Sequence, residues 1–311
     1  MEKTIDILCI GEVLIDFIGH EVNTSINRTK DYHRFLGGSP TNVAVNASRL
    51  GLNSVLVATC GQDGLGDYIV RKLKANNVNT AHIRKSDSIP TSVIFVSKST
   101  ETPDFIPYRE ADCHIIQTQL SDEVIQQAKI FHTTCFALSK NPARDTILNR
   151  AEKAKELGLQ LSIDINFSER IWPDREEAKQ VIKDYLKNDP LVKLSEDDCY
   201  RLFAELKSED YIFDYFHNLG ASTICLTKGK KGVVLSDVTK GLFFQEAIPI
   251  SEIKDATGAG DAFWTGFLYA QLKNKELEES ISIAQKLASI KLQNVGRLPD
   301  GINFEDYLIA K

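Results

Sequence analysis

Apolar residues along the chain are grouped in short runs. Between the later runs lie segments whose apolar residues have the spacing of a helix. The first run, Ile5–Ile10, is continuous, which is typical of a strand buried on both faces of a sheet. Further runs follow at Ser54–Cys60, Lys129–Thr134, Leu159–Ile165, Leu191–Leu194 and Ser222–Thr227. This alternation predicts an α/β fold in which helices cover both faces of a mostly parallel sheet.

Two other segments follow a different pattern. Ile89–Lys98 and Asp104–Arg109 alternate apolar and polar residues, as half-exposed antiparallel strands do. Together with residues 17–35, they are expected to form a small separate sheet. Such a sheet projects from the α/β core either as a lid over a site or as a contact between two copies of the chain. Arg109 would then hang from this sheet toward a substrate, unless it is an ordinary surface charge.

The sequence also marks where one helix begins. Ser39 is a good N-cap, Pro40 suits the first helical position, and Gly51 follows the end of the apolar pattern. The paired glycines Gly37 and Gly38 precede this helix and let the backbone approach a small polar ligand, which Asn42 would also face. The alternative is a tight turn with Asn42 exposed to solvent.

The composition of the chain argues against several classes of function, among them nucleic-acid binding and membrane spanning. The chain has 311 residues, 42% of them hydrophobic and 26% charged, and its net charge of −6 argues against a partner with a nucleic-acid backbone. No apolar run approaches the ~20 residues that span a bilayer, and the N-terminal run does not resemble a signal peptide. The six cysteines and six histidines show no metal-ligand spacing. We therefore expect a cytoplasmic protein without a structural metal or a membrane partner.

The stretch Asp255–Asp261 is the strongest candidate for chemistry. Gly258, Ala259 and Gly260 leave the backbone accessible, and the apolar residues that follow predict a helix beginning here. Unpaired N–H groups and the positive end of the helix dipole favour a phosphate at such a position. Asp261 in the first turn would repel a bound phosphate unless it accepts a proton, so the stretch indicates phosphoryl transfer. The alternative is a glycine-rich turn with ordinary capping by Asp261.

Other candidates follow the predicted strands. Asp16 lies in an apolar segment after the first strand, and Asp164 and Asn166 end a later one, with Arg170 beyond a short loop. Open α/β sheets bind ligands at this carboxyl edge. Residues 227–232 join two strands as a glycine-containing hairpin whose open backbone suits a nucleotide, with lysines near its phosphates. Neither a Walker motif nor the dinucleotide motif G-x-G-x-x-G after the first strand is present.

In this order, these features resemble the PfkB-type carbohydrate kinases, also called the ribokinase family, from about residue 5 to residue 309. The resemblance implies a Rossmann-like three-layer α/β/α fold with a small β-sheet lid. It implies a single kinase domain over residues 1–311, with a lid formed by about 17–35 and 89–113. The family uses Mg-ATP to phosphorylate a sugar or nucleoside hydroxyl.

The resemblance also implies roles for individual residues. Asp261 is the base that takes the proton from the sugar hydroxyl, and the N–H groups of residues 258–260 form the anion hole. The positions that match sugar-binding residues are Asp16, Gly37, Gly38 and Asn42. Those that match the nucleotide-binding turn are Thr227, Gly229 and Gly232.

Within the family, the stretches 11–16 and 37–42 and the pair Tyr108-Arg109 look most like fructokinases and 2-keto-3-deoxygluconate kinases. In that subgroup the arginine after the tyrosine reaches the sugar, which implies the same role for Arg109. Asn166 and Arg170 resemble the subgroup's Asp-x-Asn…Arg segment, although the arginine comes later than usual.

The sequence departs from the family pattern at three places. Asp198 falls at the position of a glutamate linked to magnesium and its waters. Gln285 replaces an asparagine on the adenine side. Gly296-Arg297 replaces Gly-Ala near the monovalent-cation site, for which Asp255 and K⁺ are the candidates.

The leading hypothesis is an ATP-dependent fructokinase, with 2-keto-3-deoxygluconate kinase as the alternative. A nucleoside kinase is disfavoured, because the aromatic residue that such members bring over the base cannot be placed here. A non-catalytic sugar-binding regulatory protein is disfavoured because the base and the anion-hole glycines are intact. A nicotinamide dehydrogenase is disfavoured by the missing dinucleotide motif. A homodimer formed through the lid is a further expectation.

Overall fold

The fold is built around a nine-stranded sheet. In the computed structural model, the described residues are 3–98, 104–294, 298, 299 and 302. Their strands are β1 (Ile5–Ile10), β2 (Leu14–Val22), β3 (Tyr32–Gly37), β4 (Ser54–Gly61), β5 (Ile83–Ser86), β6 (Val93–Lys98), β7 (Phe105–Tyr108), β8 (Ala128–Thr134), β9 (Gln160–Asp164), β10 (Leu191–Ser195), β11 (Thr223–Thr227), β12 (Val233–Asp237) and β13 (Gly241–Gln245).

The order of the large sheet is β13-β12-β11-β10-β9-β8-β1-β4-β5. All neighbours from β11 to β5 pair in parallel, whereas β12 and β13 add an antiparallel edge. The apolar runs of the sequence therefore correspond to the central strands, and the prediction of a mostly parallel sheet is confirmed. Parallel pairing also gathers the carboxyl ends of β1, β8, β9, β10 and β11 at one edge.

Helices cover both faces of this sheet. They are α1 (Ser39–Arg49), α2 (Gly64–Lys74), α3 (Asp122–Gln126), α4 (Ala143–Glu156), α5 (Arg175–Leu186), α6 (Glu196–Phe203), α7 (Glu209–Asn218), α8 (Ala259–Leu272) and α9 (Leu277–Leu292). Strand β1 contributes Leu8 and Ile10 to the hydrophobic core under α4 and α5, and Ile7 and Cys9 to the core under α1 and α8. This arrangement is the expected three-layer α/β/α architecture.

A second, four-stranded sheet has the order β3-β2-β6-β7. It confirms the expectation of a small separate sheet, and it extends beyond the expected segment 17–35, because β2 begins at Leu14 and β3 ends at Gly37. Aromatic side chains pack across it, with the rings of Phe17 and Phe95 stacked at 5.2 Å between centroids. Because β2 begins just after β1 ends, the small sheet is tied to the carboxyl edge of the large one.

Among the described residues, the helices are all too short or too polar to cross a membrane. Gly296 and Arg297, which depart from the family pattern, lie outside the described residues.

Candidate active site

Two helix N-termini meet at the carboxylate of Asp261. Asp261 lies in the first turn of α8, and its Oδ1 accepts a hydrogen bond of 2.6 Å from the hydroxyl of Ser39. Its Oδ2 accepts one of 2.8 Å from the side-chain amide of Asn42. Both donors come from the first turn of α1, so the dipoles of two helices act on one carboxylate.

The role expected for Ser39 is corrected by this geometry. The N-cap of α1 is Gly38, and Ser39 is the first helical residue, with no side-chain bond to the helix backbone. Its hydroxyl instead binds Asp261, and its N–H donates to the carboxylate of Glu12 at 3.0 Å. The local capping signal is therefore overridden by a contact between distant segments.

The backbone at the start of α8 has the features expected of an anion site, with one change. Gly258 is the N-cap and adopts the left-handed conformation, with φ of 75°. Within the described part of the chain, the N–H groups of Gly258, Gly260 and Asp261 have no hydrogen-bond acceptor. The N–H of Ala259 donates to the carbonyl of Ala256 at 3.2 Å, so Ala259 is not available for an anion in this arrangement. Three N–H groups that have no acceptor among the described residues, at a helix N-terminus, suit a phosphoryl group.

The charge state of Asp261 depends on opposing effects. Burial raises the pKa of Asp261, whereas the hydrogen bonds from Ser39 and Asn42 and the charges of Lys193 and Lys291 act to lower it. The net result is a pKa above that of an ordinary aspartate. A raised pKa makes the carboxylate a better proton acceptor, which is what a general base needs.

Asp16, on strand β2 of the small sheet, lies close enough to Asp261 for the two charges to interact. Burial of its carboxyl and the negative charge of Asp261 together raise the pKa of Asp16 to about 7. Gly37 and Gly38 make room for this arrangement, since a Cβ on Gly37 would lie 2.3 Å from Asp16 Oδ2. A Cβ on Gly38 would lie 2.2 Å from the carbonyl oxygen of Glu12. Asp16, Gly37, Gly38 and Asn42, four of the residues expected at a sugar site, are thus brought together beside Asp261.

Glu12 is a buried carboxyl that the sequence analysis did not identify. It follows the end of β1 and accepts hydrogen bonds from the N–H of Ser39 and from the hydroxyl of Thr134, the latter at 2.9 Å. Burial raises the pKa of Glu12 to about 8, against the opposing hydrogen bonds. Its position directly after Gly11, at the carboxyl end of a buried strand, was a usable signal.

Lys193 is a second residue that the sequence analysis missed. Its ammonium lies 2.9 Å from Asp164 Oδ2, and both side chains are almost completely buried. A Cβ on Gly260 would lie only 3.1 Å from Lys193 Nζ, so this charge lies directly behind the anion site. Burial alone would lower the pKa of Lys193, but the charges of Asp164 and Asp198 raise it. A lysine inside the apolar run Leu191–Leu194 was the signal in the sequence.

Asn166 and Arg170 are placed differently from each other. Asn166 follows β9 with a positive φ of 29°, a conformation that non-glycine residues adopt mainly where function or packing requires it. Its side-chain amide makes no hydrogen bond to any residue that the structure describes, so it is available to a ligand. Arg170 instead binds Asp104 and the carbonyl of Phe105, and thereby links the core to the small sheet.

Arg109 does not hang from the small sheet toward an open site. Its side chain is buried, and its guanidinium donates two hydrogen bonds to Asp112 Oδ2, at 2.8 and 2.6 Å. It also binds the hydroxyl of Ser139 and lies over the ring of Phe136. The expectation that Arg109 hangs toward a substrate is not met in this arrangement, because Asp112, three residues later, pairs with its guanidinium inside the core.

The nucleotide candidates lie at the carboxyl end of β11. Thr227 pairs with Ser195, and its hydroxyl donates to the carbonyl of Leu194 at 3.4 Å. Gly229 has φ of 54° and open space where a Cβ would be, whereas a Cβ on Gly232 would lie 2.0 Å from the carbonyl oxygen of Gln245. The hairpin reading is confirmed, since β11 and β12 are antiparallel.

The lysines of this turn are already partnered in part. Lys228 pairs with Glu209, and Lys231 pairs with Glu196 at 3.5 Å.

Gln285 lies on α9 with 9% of its surface exposed, and its amide has no hydrogen-bond partner among the described residues. A mostly buried amide without a partner in the described part of the chain suits a polar ligand edge such as a purine.

The two metal candidates have protein partners. Asp198 closes a capping box at the start of α6, where its Oδ2 accepts from the N–H and the hydroxyl of Ser195. Asp255 pairs with Lys291 at 3.1 Å. No group of three or more histidine, cysteine, aspartate or glutamate side chains suited to a metal occurs among the described residues.

Comparison with known proteins assigns the chain to a family. Residues 4–300 match the pfkB family of carbohydrate kinases. The chain is 33% identical to an ATP-dependent 6-phosphofructokinase of Thermoanaerobacterium thermosaccharolyticum, over 96% of this chain and 91% of that protein. It is similar to the structure of Halothermothrix orenii fructokinase, with a TM-score of 0.78, 34% identity, and coverage of 91% of this chain and 98% of that one.

A third similar protein was solved with a nucleotide. It is an uncharacterized sugar kinase of Pyrococcus horikoshii in complex with ATP, with a TM-score of 0.83, 29% identity and coverage of 93% of both chains. The family match extends over nearly the whole chain and agrees with the fold and with the residues gathered at the carboxyl edge of the sheet. The chain belongs to the pfkB family of carbohydrate kinases and is a sugar phosphotransferase.

Proposed function

We propose that this chain transfers the γ-phosphoryl group of Mg-ATP to a hydroxyl of a ketose, with fructose as the leading acceptor. The observation that carries the proposal is the placement of Asp261 between two helix N-termini, beside three N–H groups that lack an acceptor in the described structure. A base and an anion site on the same helical turn are what in-line phosphoryl transfer requires.

In this mechanism the sugar hydroxyl lies against Asp261, which accepts its proton as the oxygen attacks the γ-phosphorus. The N–H groups of Gly258 and Gly260 hold the transferred group and stabilise its negative charge. Asp16, Asn42 and Asn166 orient the sugar, with Gly37 and Gly38 shaping the space. Lys193, behind Gly260, adds a fixed positive charge near the reacting phosphoryl from an almost completely buried position.

ATP is proposed to lie along residues 227–232, with its base toward Gln285. Thr227 and Gly229 would contact the nucleotide, Gly229 through its open backbone, while Gly232 would shape the turn through its close packing against Gln245. Magnesium neutralises phosphate charge when it is bound and keeps several of its waters, so it needs few protein ligands. Asp198 is the candidate for a water-mediated contact through Oδ1, because the cap of α6 already uses its Oδ2.

A second acceptor is supported by a specific similarity. The relative from Thermoanaerobacterium thermosaccharolyticum is named as an ATP-dependent 6-phosphofructokinase, so fructose 6-phosphate belongs beside fructose as a candidate. The resemblance in sequence also keeps 2-keto-3-deoxygluconate as an alternative, and a sugar-binding regulatory role as the non-catalytic one.

The proposal also covers the domain organisation, oligomeric state and cellular compartment of the enzyme. The whole chain would act as one kinase domain in which the small sheet is a lid, and exposed Val22, Ile106 and Tyr108 on that sheet offer a surface for a homodimer. All six cysteines are buried and unpaired, which fits a reducing compartment such as the cytoplasm.

The test is sugar-dependent ADP release with Mg-ATP across fructose, fructose 6-phosphate, 2-keto-3-deoxygluconate, ribose, tagatose and adenosine. Asp261→Asn measured in parallel gives the background that does not depend on the base. Preferential turnover of fructose is expected. Turnover of another acceptor would reassign the substrate, and sugar binding without turnover of any acceptor would favour the regulatory alternative.

A further inference from the structure

Lys291 occupies an oxygen-lined position beside the anion site. Its ammonium lies 3.1 Å from Asp255 Oδ2, and 3.4 Å from the carbonyl oxygens of both Asp255 and Asn294. Only 5% of its side chain is exposed. The position is at the end of α9, where the negative end of the helix dipole favours a positive charge.

These surroundings are those of a bound monovalent cation. Carbonyl and carboxylate oxygens are the groups that replace the hydration shell of K⁺ in proteins, and here they surround a single positive charge that is covalently part of the chain. The other carboxylate oxygen of Asp255 accepts a hydrogen bond of 2.9 Å from the N–H of Thr257. A free cation at Asp255 would compete with the ammonium for the same oxygens and be repelled by it.

The ammonium also connects to the catalytic turn. Lys291 Cε lies 3.8 Å from the point that a Cβ on Gly258 would occupy, and the charge of Lys291 acts to lower the pKa of Asp261. The backbone strengthens this link, since the N–H of Lys254 donates to the carbonyl of Leu292 at 2.8 Å. Residues 254–258, which precede the anion site, are thus held at the end of α9 by the buried ammonium of Lys291 and by this backbone hydrogen bond.

We propose that the Lys291 ammonium replaces a monovalent cation in this chain, so that the anion site is held in place without K⁺. The inference rests on the proposed phosphoryl transfer for its kinetic consequence, but not for its structural one. Lys291 is a positioning residue, because it acts through Asp255 and the backbone of residues 255–258. Asp255 is accordingly a partner of Lys291, and the residues present do not fit an added K⁺.

The kinetic test compares wild type, Lys291→Ala and Lys275→Ala in KCl and in tetramethylammonium chloride. All samples have an ionic strength of about 0.1 M, so that surface charges are screened equally. Lys275 is the matched control, because it pairs with Glu279 on the protein surface. Wild type and Lys275→Ala are expected to turn over equally in both salts. Lys291→Ala is expected to be roughly 10-fold slower or worse without K⁺, and to recover when K⁺ or methylammonium is added.

A second readout needs no turnover. The melting temperature of Lys291→Ala is expected to be lower than that of wild type and to rise with K⁺, while that of wild type does not respond. If the panel of sugars gives no turnover, this measurement still tests the inference separately from the proposed function. A wild-type enzyme that K⁺ strongly activates or stabilises would overturn the inference. Full activity of Lys291→Ala without K⁺ would also overturn it, and if that variant does not fold, the wild-type response decides.

Discussion

The side-chain amide of Asn42, in the first turn of α1, donates a hydrogen bond of 2.8 Å to Asp261 in the first turn of α8. The two residues are 219 positions apart in the sequence. Their contact joins the candidate sugar site to the candidate base. In the proposed mechanism, sugar binding by Asn42 and the protonation of Asp261 therefore depend on the same hydrogen bond.

The acid limb of the pH–rate profile is expected to reflect the pKa of the Asp261 carboxyl. Activity requires the charged carboxylate, so the rate falls as the pH drops through the raised pKa of this residue. The hydrogen bond from Ser39 favours the charged form, and removing it raises the pKa further. Ser39→Ala is therefore expected to shift the acid limb of kcat to higher pH. Ser48→Ala, at the other end of α1, is the control, and an equal shift in both variants would count against the assignment.

The stability of the protein should depend on the protonation of Glu12. The unfolded chain loses this proton near the ordinary value of 4.5, while the folded protein retains it until about pH 8. Between these values the unfolded state binds fewer protons, so the free energy of unfolding falls as the pH rises, by up to about 5 kcal/mol.

Glu12→Gln removes this titration while keeping a side chain of similar shape. Urea unfolding at about pH 5 and about pH 8 should show a smaller pH dependence in the variant than in wild type. The comparison is made between the two proteins, because the carboxyls of Asp16 and Asp164 also titrate in this range. Identical pH dependence in both would show that Glu12 is charged in the folded protein.

The buried pair of Arg109 and Asp112 is expected to be structural. Arg109→Ala leaves Asp112 uncompensated in the core, and the free energy of unfolding should fall by about 3–5 kcal/mol. Lys153→Ala removes an exposed pair with Glu156 and should cost less than about 1 kcal/mol. If Arg109→Ala is as stable as wild type but has a raised KM for the sugar, Arg109 contacts the substrate instead.

The layers of the fold could be predicted because they depend on local pattern. Continuous apolar strands such as β1 and β4 indicate burial on both faces, and the alternation in β6 and β7 indicates a half-exposed sheet. The start of α8 was also predictable, since a glycine-rich segment precedes a long apolar helix. These signals need only neighbouring residues.

The remaining features of the site depend on contacts that no local pattern contains. Ser39 reads as an N-cap, yet its hydroxyl binds Asp261, 222 positions away. Lys193 and Lys291 find their carboxylate partners 29 and 36 positions earlier in the chain. Arg109 is the exception, because Asp112 lies one helical turn away in sequence and its pairing was open to prediction.

The most direct test of the central claim is the turnover of Asp261→Asn. Asparagine keeps the size of the side chain and removes the proton acceptor, so kcat should fall by about 10²–10⁴-fold while calorimetry still detects sugar binding. Asp184→Asn, on the surface of α5, serves as the control and should retain wild-type turnover. Near-normal turnover in Asp261→Asn would contradict the account, because proton transfer to Asp261 would then not be part of the reaction.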